Sequence, residues 1–228
     1  MSYQITFYGH GTFGLKIKEY QLLIDPYLSG NPSTNISPDD VNPDFILITH
    51  GHGDHVGDAV EIIKRTGAKT IANAEVGSWL ANKSGGEVHR QHIGGGYHHP
   101  FGYLKLTLAT HGSSLPDGSY GGMPAGLLLT TPDGEKLYFA GDTGLFASMA
   151  LIGEEGIDLA VLPIGDNWTM GPDDALRAVK MIQPKVVIPA HYNTYPMIEQ
   201  DAEAWKKRVE AETGTRVTIM EPDTTLEF

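Results

Sequence analysis

Apolar residues in this chain gather into short runs, rich in β-branched side chains and closed by Gly, Pro or Asp. Runs of that kind predict strands. They fall at Ile5 to Tyr8, Leu22 to Ile24, Phe45 to Thr49, Lys69 to Ala72 and Leu104 to Ala109. Five more follow at Ala125 to Thr130, Lys136 to Ala140, Leu159 to Pro163, Val186 to Pro189 and Arg216 to Ile219. Helical spacing lies between some of them, at Asp58 to Thr66, Glu75 to Ser84, Phe146 to Gly153, Pro172 to Ile182 and Gln200 to Thr213. Pro172-Asp173-Asp174 starts a helix well, with proline in the first turn and two acids at the positive end of the dipole. The first part is rich in consecutive strands, and the later part alternates strand with helix. The pattern predicts an α/β sandwich with helices on its outer faces.

Composition narrows the class. The 228 residues show no internal repeat, low-complexity tract or long linker, so one domain over 1–228 is expected. With 28 acidic and 16 basic side chains the net charge is -12, which disfavours nucleic acid and anionic membranes as partners. The absence of cysteine excludes disulfides, Cys-ligated zinc, iron–sulfur clusters and a thiol nucleophile. Met1 to Thr6 reads as no signal peptide, and no apolar run approaches the ~18 residues of a spanning helix. A cytoplasmic protein acting on a small molecule is expected, with homo-oligomerisation left open.

One segment carries chemistry on its face. The apolar run Ile46-Leu47-Ile48-Thr49 leads straight into His50-Gly51-His52-Gly53-Asp54-His55. Four metal-capable side chains spaced by glycine can converge from one tight loop. The same grammar recurs: apolar runs end in His111, in Asp142 and in His191. Sites in α/β folds collect where the carboxyl ends of strands meet. Five imidazoles and two carboxylates exceed one tetrahedral zinc and suit two cations sharing a carboxylate.

These motifs, with Thr110-His111-Gly112, Gly141-Asp142-Thr143 and Ala190-His191, resemble the metallo-β-lactamase superfamily. Gly9-His10-Gly11-Thr12-Phe13, Ile24-Asp25-Pro26, His111-Gly112-Ser113-Ser114, Gly141-Asp142-Thr143-Gly144-Leu145-Phe146 and the stretch from Pro163 to Gly171 are similar to its little-characterised microbial branch of metal-dependent hydrolases. The resemblance spans about residues 3 to 227. It implies an αββα four-layer sandwich with a dinuclear site at one edge of two facing sheets. It also implies that His50, His52 and His111 hold one metal, that Asp54, His55 and His191 hold the other, and that Asp142 bridges them. Histidine at position 52, where diiron redox relatives carry glutamate, favours hydrolysis.

The expected activity is hydrolysis of a small ester, lactone or phosphodiester-type substrate by a hydroxide bridging two divalent cations. Zinc is the first choice, and manganese, iron and nickel accept the same donors. Asp54 is the expected catalytic carboxylate, orienting the nucleophile. The alternative is a metal-stabilised binding or sensing protein without turnover. Asp25, closing a strand, is a candidate partner for a ligand imidazole. His10, in a strand-to-strand turn, is a candidate structural or substrate contact. Asn167 and Thr169 are candidate pocket residues. Ser113 and Ser114 read as backbone caps, and His98 and His99 as surface or loop histidines, with His89 and His92 unassigned.

Overall fold

The computed structural model describes residues 3–228. The chain opens with β1 (Tyr3–Phe7), β2 (Phe13–Ile17), β3 (Tyr20–Ile24) and β4 (Phe45–Leu47), then α1 (Gly53–Val56), α2 (Ala59–Thr66), β5 (Lys69–Ala72), α3 (Ala74–Ser84) and β6 (Val88–Arg90). Next come β7 (Gly96–His99), β8 (Gly102–Leu108), β9 (Ala125–Thr130), β10 (Lys136–Phe139), α4 (Met149–Gly153), β11 (Leu159–Pro163), α5 (Pro172–Ile182) and β12 (Val186–Ala190). It ends with α6 (Ala202–Glu212), β13 (Arg216–Val217) and β14 (Thr224–Glu227).

Two seven-stranded sheets result, ordered β14-β1-β2-β3-β4-β5-β6 and β13-β12-β11-β10-β9-β8-β7. Each is antiparallel from one edge to β3 or β10 and parallel from there to the other edge. The two halves of the chain therefore run the same programme, hairpins first and helical crossovers second. A sequence reading that sees strands early and alternation late captures only one pass of it. The repeat is architectural, and no matching residue pattern announces it.

Burial explains which strands were easy to read. In β1, Tyr3, Ile5 and Phe7 face the space between the sheets while Gln4 and Thr6 face outward, a period of two. β4, β11 and β12 are buried on both faces, so they read as unbroken apolar runs. Three apolar layers separate the four structural ones. The middle layer joins both sheets, one outer layer packs α2 and α3 on the first sheet, and the other packs α4, α5 and α6 on the second. Trp205 of α6 is fully buried there and donates its indole N–H to the Pro172 carbonyl at 3.0 Å. The αββα sandwich is what this layering amounts to.

Strands β2, β6, β7 and β14 lie outside the predicted runs, because glycine or polar residues interrupt their apolar pattern. His99 is one consequence. Expected at the surface, it lies buried on β7, stacked on Phe101 at 5.2 Å and facing the His89 ring at 4.9 Å. Burial lowers its pKa to about 4. His98 is exposed and lies against the Tyr103 ring at 4.7 Å.

Candidate metal centre

Parallel β3 and β4 end side by side, and so do β10, β11 and β12 in the other sheet. Their carboxyl ends deliver Asp25, the His50 loop, Asp142, the 164–171 loop and His191 to one edge. The β1–β2 turn joins them, because the His191 N–H donates to the His10 carbonyl at 2.8 Å. Three of these residues sit in the left-handed region, His10 at φ 55°, Asp25 at φ 48° and His191 at φ 54°. Such conformations cost on the order of 1 kcal/mol or more at non-glycine residues and persist where surrounding structure over-determines them. Gly141, just before Asp142, also has positive φ at 61°, and a Cβ there would press on the Thr49 side chain at 2.9 Å.

The H-x-H-x-D-H segment is a loop followed by a single helical turn. His52 caps α1, and its carbonyl accepts the N–H groups of His55 and Val56 at 3.0 and 2.9 Å. The turn swings Asp54 and His55 toward one side while His50 and His52 stay on the other. His50 Nε2 and His52 Nδ1 lie 3.0 Å apart, and both rings stand 5.1 Å from that of His111. Nitrogens bound tetrahedrally at ~2.0–2.1 Å from one zinc would be separated by roughly 3.3 Å.

Asp142 stands between the two groups. Its Oδ2 lies 3.5 Å from His111 Nε2 on one side, and 3.3 and 3.1 Å from the Nε2 atoms of His55 and His191 on the other. Asp54 Oδ2 lies 4.0 Å from His55 Nε2 and 3.9 Å from His191 Nε2. Ligand-capable atoms thus fall into three overlapping sets: His50, His52 and His111; His50, His55 and Asp142; and His10, Asp54, His55 and His191. Among the described residues, buried His55 Nε2 and both nitrogens of His191 make no hydrogen bond of acceptable angle, although the two Nε2 atoms lie in ion-pair range of Asp142. Unsatisfied buried nitrogens cost about 1–3 kcal/mol each. A donor set of this chemistry, aimed inward and unsatisfied, fits a hard or borderline divalent cation.

The supporting contacts fix which nitrogen each ring presents. Asp25 Oδ2 accepts from His55 Nδ1 at 2.8 Å, leaving Nε2 for the cavity. Thr49 donates its N–H and hydroxyl to the two Asp25 oxygens at 2.8 and 2.6 Å. With that hydroxyl proton committed, Thr49 Oγ1 accepts from His50 Nδ1 at 3.1 Å, which again frees Nε2. His10 is buried, and burial lowers its pKa to about 4, so its ring is neutral. It donates Nε2–H to Asp54 Oδ2 at 3.1 Å and accepts the Thr194 hydroxyl at Nδ1 at 2.9 Å. Burial raises the Asp142 carboxyl, but the neighbouring His55 and His191 outweigh it and hold the pKa well below the usual range. Burial likewise opposes charge on His55, yet Asp142 and Asp25 prevail and raise it.

Of the loop residues expected near the pocket, Asn167 is exposed, and Thr169 turns its hydroxyl to the Met170 carbonyl. Trp168 between them is the one whose ring meets the site, 6.4 Å from His191 and 6.2 Å from Tyr195. Ser113 braces the ligand loop, accepting the Gly51 N–H at 3.0 Å and donating to the Gly121 carbonyl at 2.9 Å. The 165–171 segment offers Trp168 as a bulky pocket residue by sequence, whereas no motif singles out Tyr27, Thr49 or Thr194. Thr49 and Thr194 lay one and three residues from a ligand candidate, and proximity to a strand end was the signal available.

Facing sheets with inward His and Asp donors at one edge define a protein of the metallo-β-lactamase fold. Residues 20–192 match the model of the β-lactamase superfamily domain. The chain is 47% identical to the UPF0173 metal-dependent hydrolase YtkL of Bacillus subtilis (strain 168) over 96% of its length and 98% of that protein's. It is 48% identical to the UPF0173 metal-dependent hydrolase RBAM_026340 of Bacillus velezensis over 92% and 94%. The solved structure of Igni18, a metallo hydrolase from the archaeon Ignicoccus hospitalis, superposes with a TM-score of 0.90 at 39% identity, covering 99% of both chains. The chain belongs to the UPF0173 metal-dependent hydrolases of the β-lactamase superfamily. No helix among the described residues is long and apolar enough to cross a membrane.

Proposed function

We propose that residues 1–228 form one hydrolase domain that uses two divalent cations, zinc by preference, to cleave a small ester, lactone or phosphodiester-type molecule. The observation that carries this is the Asp142 carboxylate, whose single oxygen Oδ2 lies within 3.5 Å of His111 in one donor group and of His55 and His191 in the other. His50, His52 and His111 would hold one cation, Asp54, His55 and His191 the other, and Asp142 would be shared. Manganese, iron or nickel suits the same nitrogen and oxygen donors. Cations held there would lower the pKa of a bound water and so supply hydroxide at neutral pH.

The chain's own groups supply the rest. Asp54 has one carboxylate oxygen pinned by His10, and a pinned carboxylate orients a nucleophile by accepting its hydrogen bond. Asp25 and Thr49 hold the His55 and His50 rings so that neither must reorganise as charge develops. Trp168, Tyr195 and Tyr27 flank His10 and His191 and offer an apolar wall to substrate.

The test combines metal analysis with a hydrolysis screen. Two ions per chain are expected, together with turnover of at least one p-nitrophenyl ester, phosphodiester or lactone in the presence of zinc or manganese. Two bound ions with silence across the whole screen would favour a binding or sensing protein. Full turnover by a folded, metal-depleted His52→Ala protein would sink the reading.

A further inference from the structure

We infer that this site takes an uncharged carbonyl electrophile, a carboxylic ester or lactone bearing an aromatic or apolar group, in preference to a phosphodiester or any other anion. The inference rests on the hydrolytic reading above and narrows it to one substrate class.

The first observation is where the chain puts its cations. Seven loops converge on the site: 8–12, 25–37, 48–58, 109–123, 140–148, 164–171 and 190–201. Together they contain eight Asp and Glu residues and no Lys or Arg. They make up roughly a third of the chain, so composition alone would put about five of the 16 basic side chains there. The basic residues lie instead on helices, on strands and, for Lys18 and Lys185, in turns outside those loops. Lys18, Lys105, Lys136, Lys180 and Lys185 pair with Asp133, Glu155, Glu155, Glu212 and Asp158, all outside those loops. Among the described residues no site carboxylate pairs with a Lys or Arg. Sites that recognise phosphate use Arg or Lys for it, because a bidentate or point cation offsets the anion's desolvation.

Bound metal does not reverse this. Two divalent cations set against Asp54, Asp142, Asp25 and an anionic nucleophile leave the centre without net positive charge. The surrounding loops then add acids, among them Asp58, Asp166 and Glu199. An anion approaching the edge meets a field of its own sign.

The second observation is that the phenols at the mouth have no proton to give. Tyr27 donates to the Gly30 carbonyl at 2.5 Å, so the hydroxyl of Tyr195, 2.5 Å from Tyr27, must spend its own proton on the Tyr27 oxygen. An anion needs donors, and these two groups present only ring faces and lone pairs. Trp168 completes the wall, 39% exposed and set nearly perpendicular to His191 at 87°. Its face is open to an apolar or aromatic group. Asn167 beside it adds a neutral amide.

The reaction then balances simply. Water adds its oxygen to the carbonyl carbon, the acyl C–O bond breaks, and a proton ends on the departing alkoxide to give acid and alcohol. The product acid ionises to a carboxylate that no cationic side chain retains.

The test uses the metal-loaded protein with three p-nitrophenyl substrates: the phenylacetate ester, the hemisuccinate ester and the bis-phosphodiester. The phenylacetate is expected to exceed the hemisuccinate by about tenfold or more in kcat/KM, and the phosphodiester by more. A parallel arm reads tryptophan fluorescence in the metal-loaded protein, titrated with phenylacetamide and with phenyl phosphate. The amide alone should quench, and Trp168→Phe should abolish the response. A preference for hemisuccinate or phosphodiester, or quenching by phenyl phosphate equal to that by the amide, would overturn the inference and leave hydrolysis standing. Silence toward all three substrates with two ions bound would overturn the hydrolytic reading instead. In that case the fluorescence arm still decides between neutral and anionic ligands.

Discussion

The two donor groups meet at Asp142 but are built differently. His50, His52 and His111 form the more open group: His52 and His111 are only partly buried, and His50 and His52 already touch through Nε2 and Nδ1 at 3.0 Å. Asp54, His55 and His191 form the group with the deeper histidines, both buried and with three ring nitrogens that make no hydrogen bond among the described residues, while the Asp54 side chain is 32% exposed. In the first group ring nitrogens meet each other, whereas in the second the Nε2 atoms of His55 and His191 lean on the Asp142 carboxylate at 3.3 and 3.1 Å and His191 Nδ1 has no hydrogen-bond partner among the described residues. Support differs as well. One threonine oxygen braces His50, whereas the buried carboxylate of Asp25 braces His55 and His10 holds Asp54. Two donor groups that meet at one carboxylate are thus preorganised to different degrees. The deep site is expected to be tighter and to carry most of the stability that metal adds.

The largest effect should come from the residue that belongs to both. Asp142→Asn is nearly isosteric but removes the shared charge, and it is expected to lower turnover roughly 10³-fold, about 4 kcal/mol. Metal analysis should show both ions weakened. Loss of one ion alone would mean that Asp142 serves a single group. Chelation ranks next. Removing metal held at about 100 times its dissociation constant withdraws about 2.7 kcal/mol, which lowers Tm by roughly 5–10 °C in a chain of this size. Stepwise titration tests the asymmetry, since releasing the tighter ion should account for most of the fall. Equal steps would erase the distinction between the groups.

Asp25→Asn comes third. The amide keeps the shape but offers His55 Nδ1–H a weaker acceptor than the carboxylate. The deep ion is expected to lose about 10–100-fold in affinity, with the open one little changed. Competition against a chromophoric chelator reads both constants. A uniform loss would show that Asp25 acts through Thr49 on both groups, because Thr49 touches Asp25 and His50 together.

Legibility in the sequence followed the same division. Four donors lie within six residues at 50–55, and glycine spacing made their convergence plain. His111, Asp142 and His191 were visible because each ends an apolar strand. The sandwich was readable where strands are buried on both faces, as in β11 and β12. It was unreadable where glycine or polar residues occupy edge strands, as in β7. The supporting shell was mostly hidden. Nothing local in Asp25-Pro26 reveals that φ is positive there, and the pairing of Tyr27 with Tyr195 spans 168 positions. Such contacts depend on two halves of the chain docking, which no window of sequence contains.

The smallest effect tests the finest part of the contrast. Thr194 donates to His10 Nδ1 at 2.9 Å, and His10 in turn donates to Asp54, so Thr194 reaches the deep group only through one neutral ring. Thr194→Val keeps the shape and removes the hydroxyl. A neutral hydrogen bond contributes about 0.5–1.5 kcal/mol net, so the largest consistent change is about tenfold. Most of that should not arrive at the metal. With Nδ1 unpartnered, His10 still gains by keeping its proton on Nε2, where the Asp54 carboxylate accepts it. The expected result is a loss of about two- to fivefold in affinity for the deep ion, none for the open one, and a modest fall in Tm from the buried nitrogen left without a donor. A loss as large as that of Asp25→Asn would mean that the His10 tautomer controls Asp54 outright. The deep group would then depend on the β1–β2 turn as much as on its own strand ends.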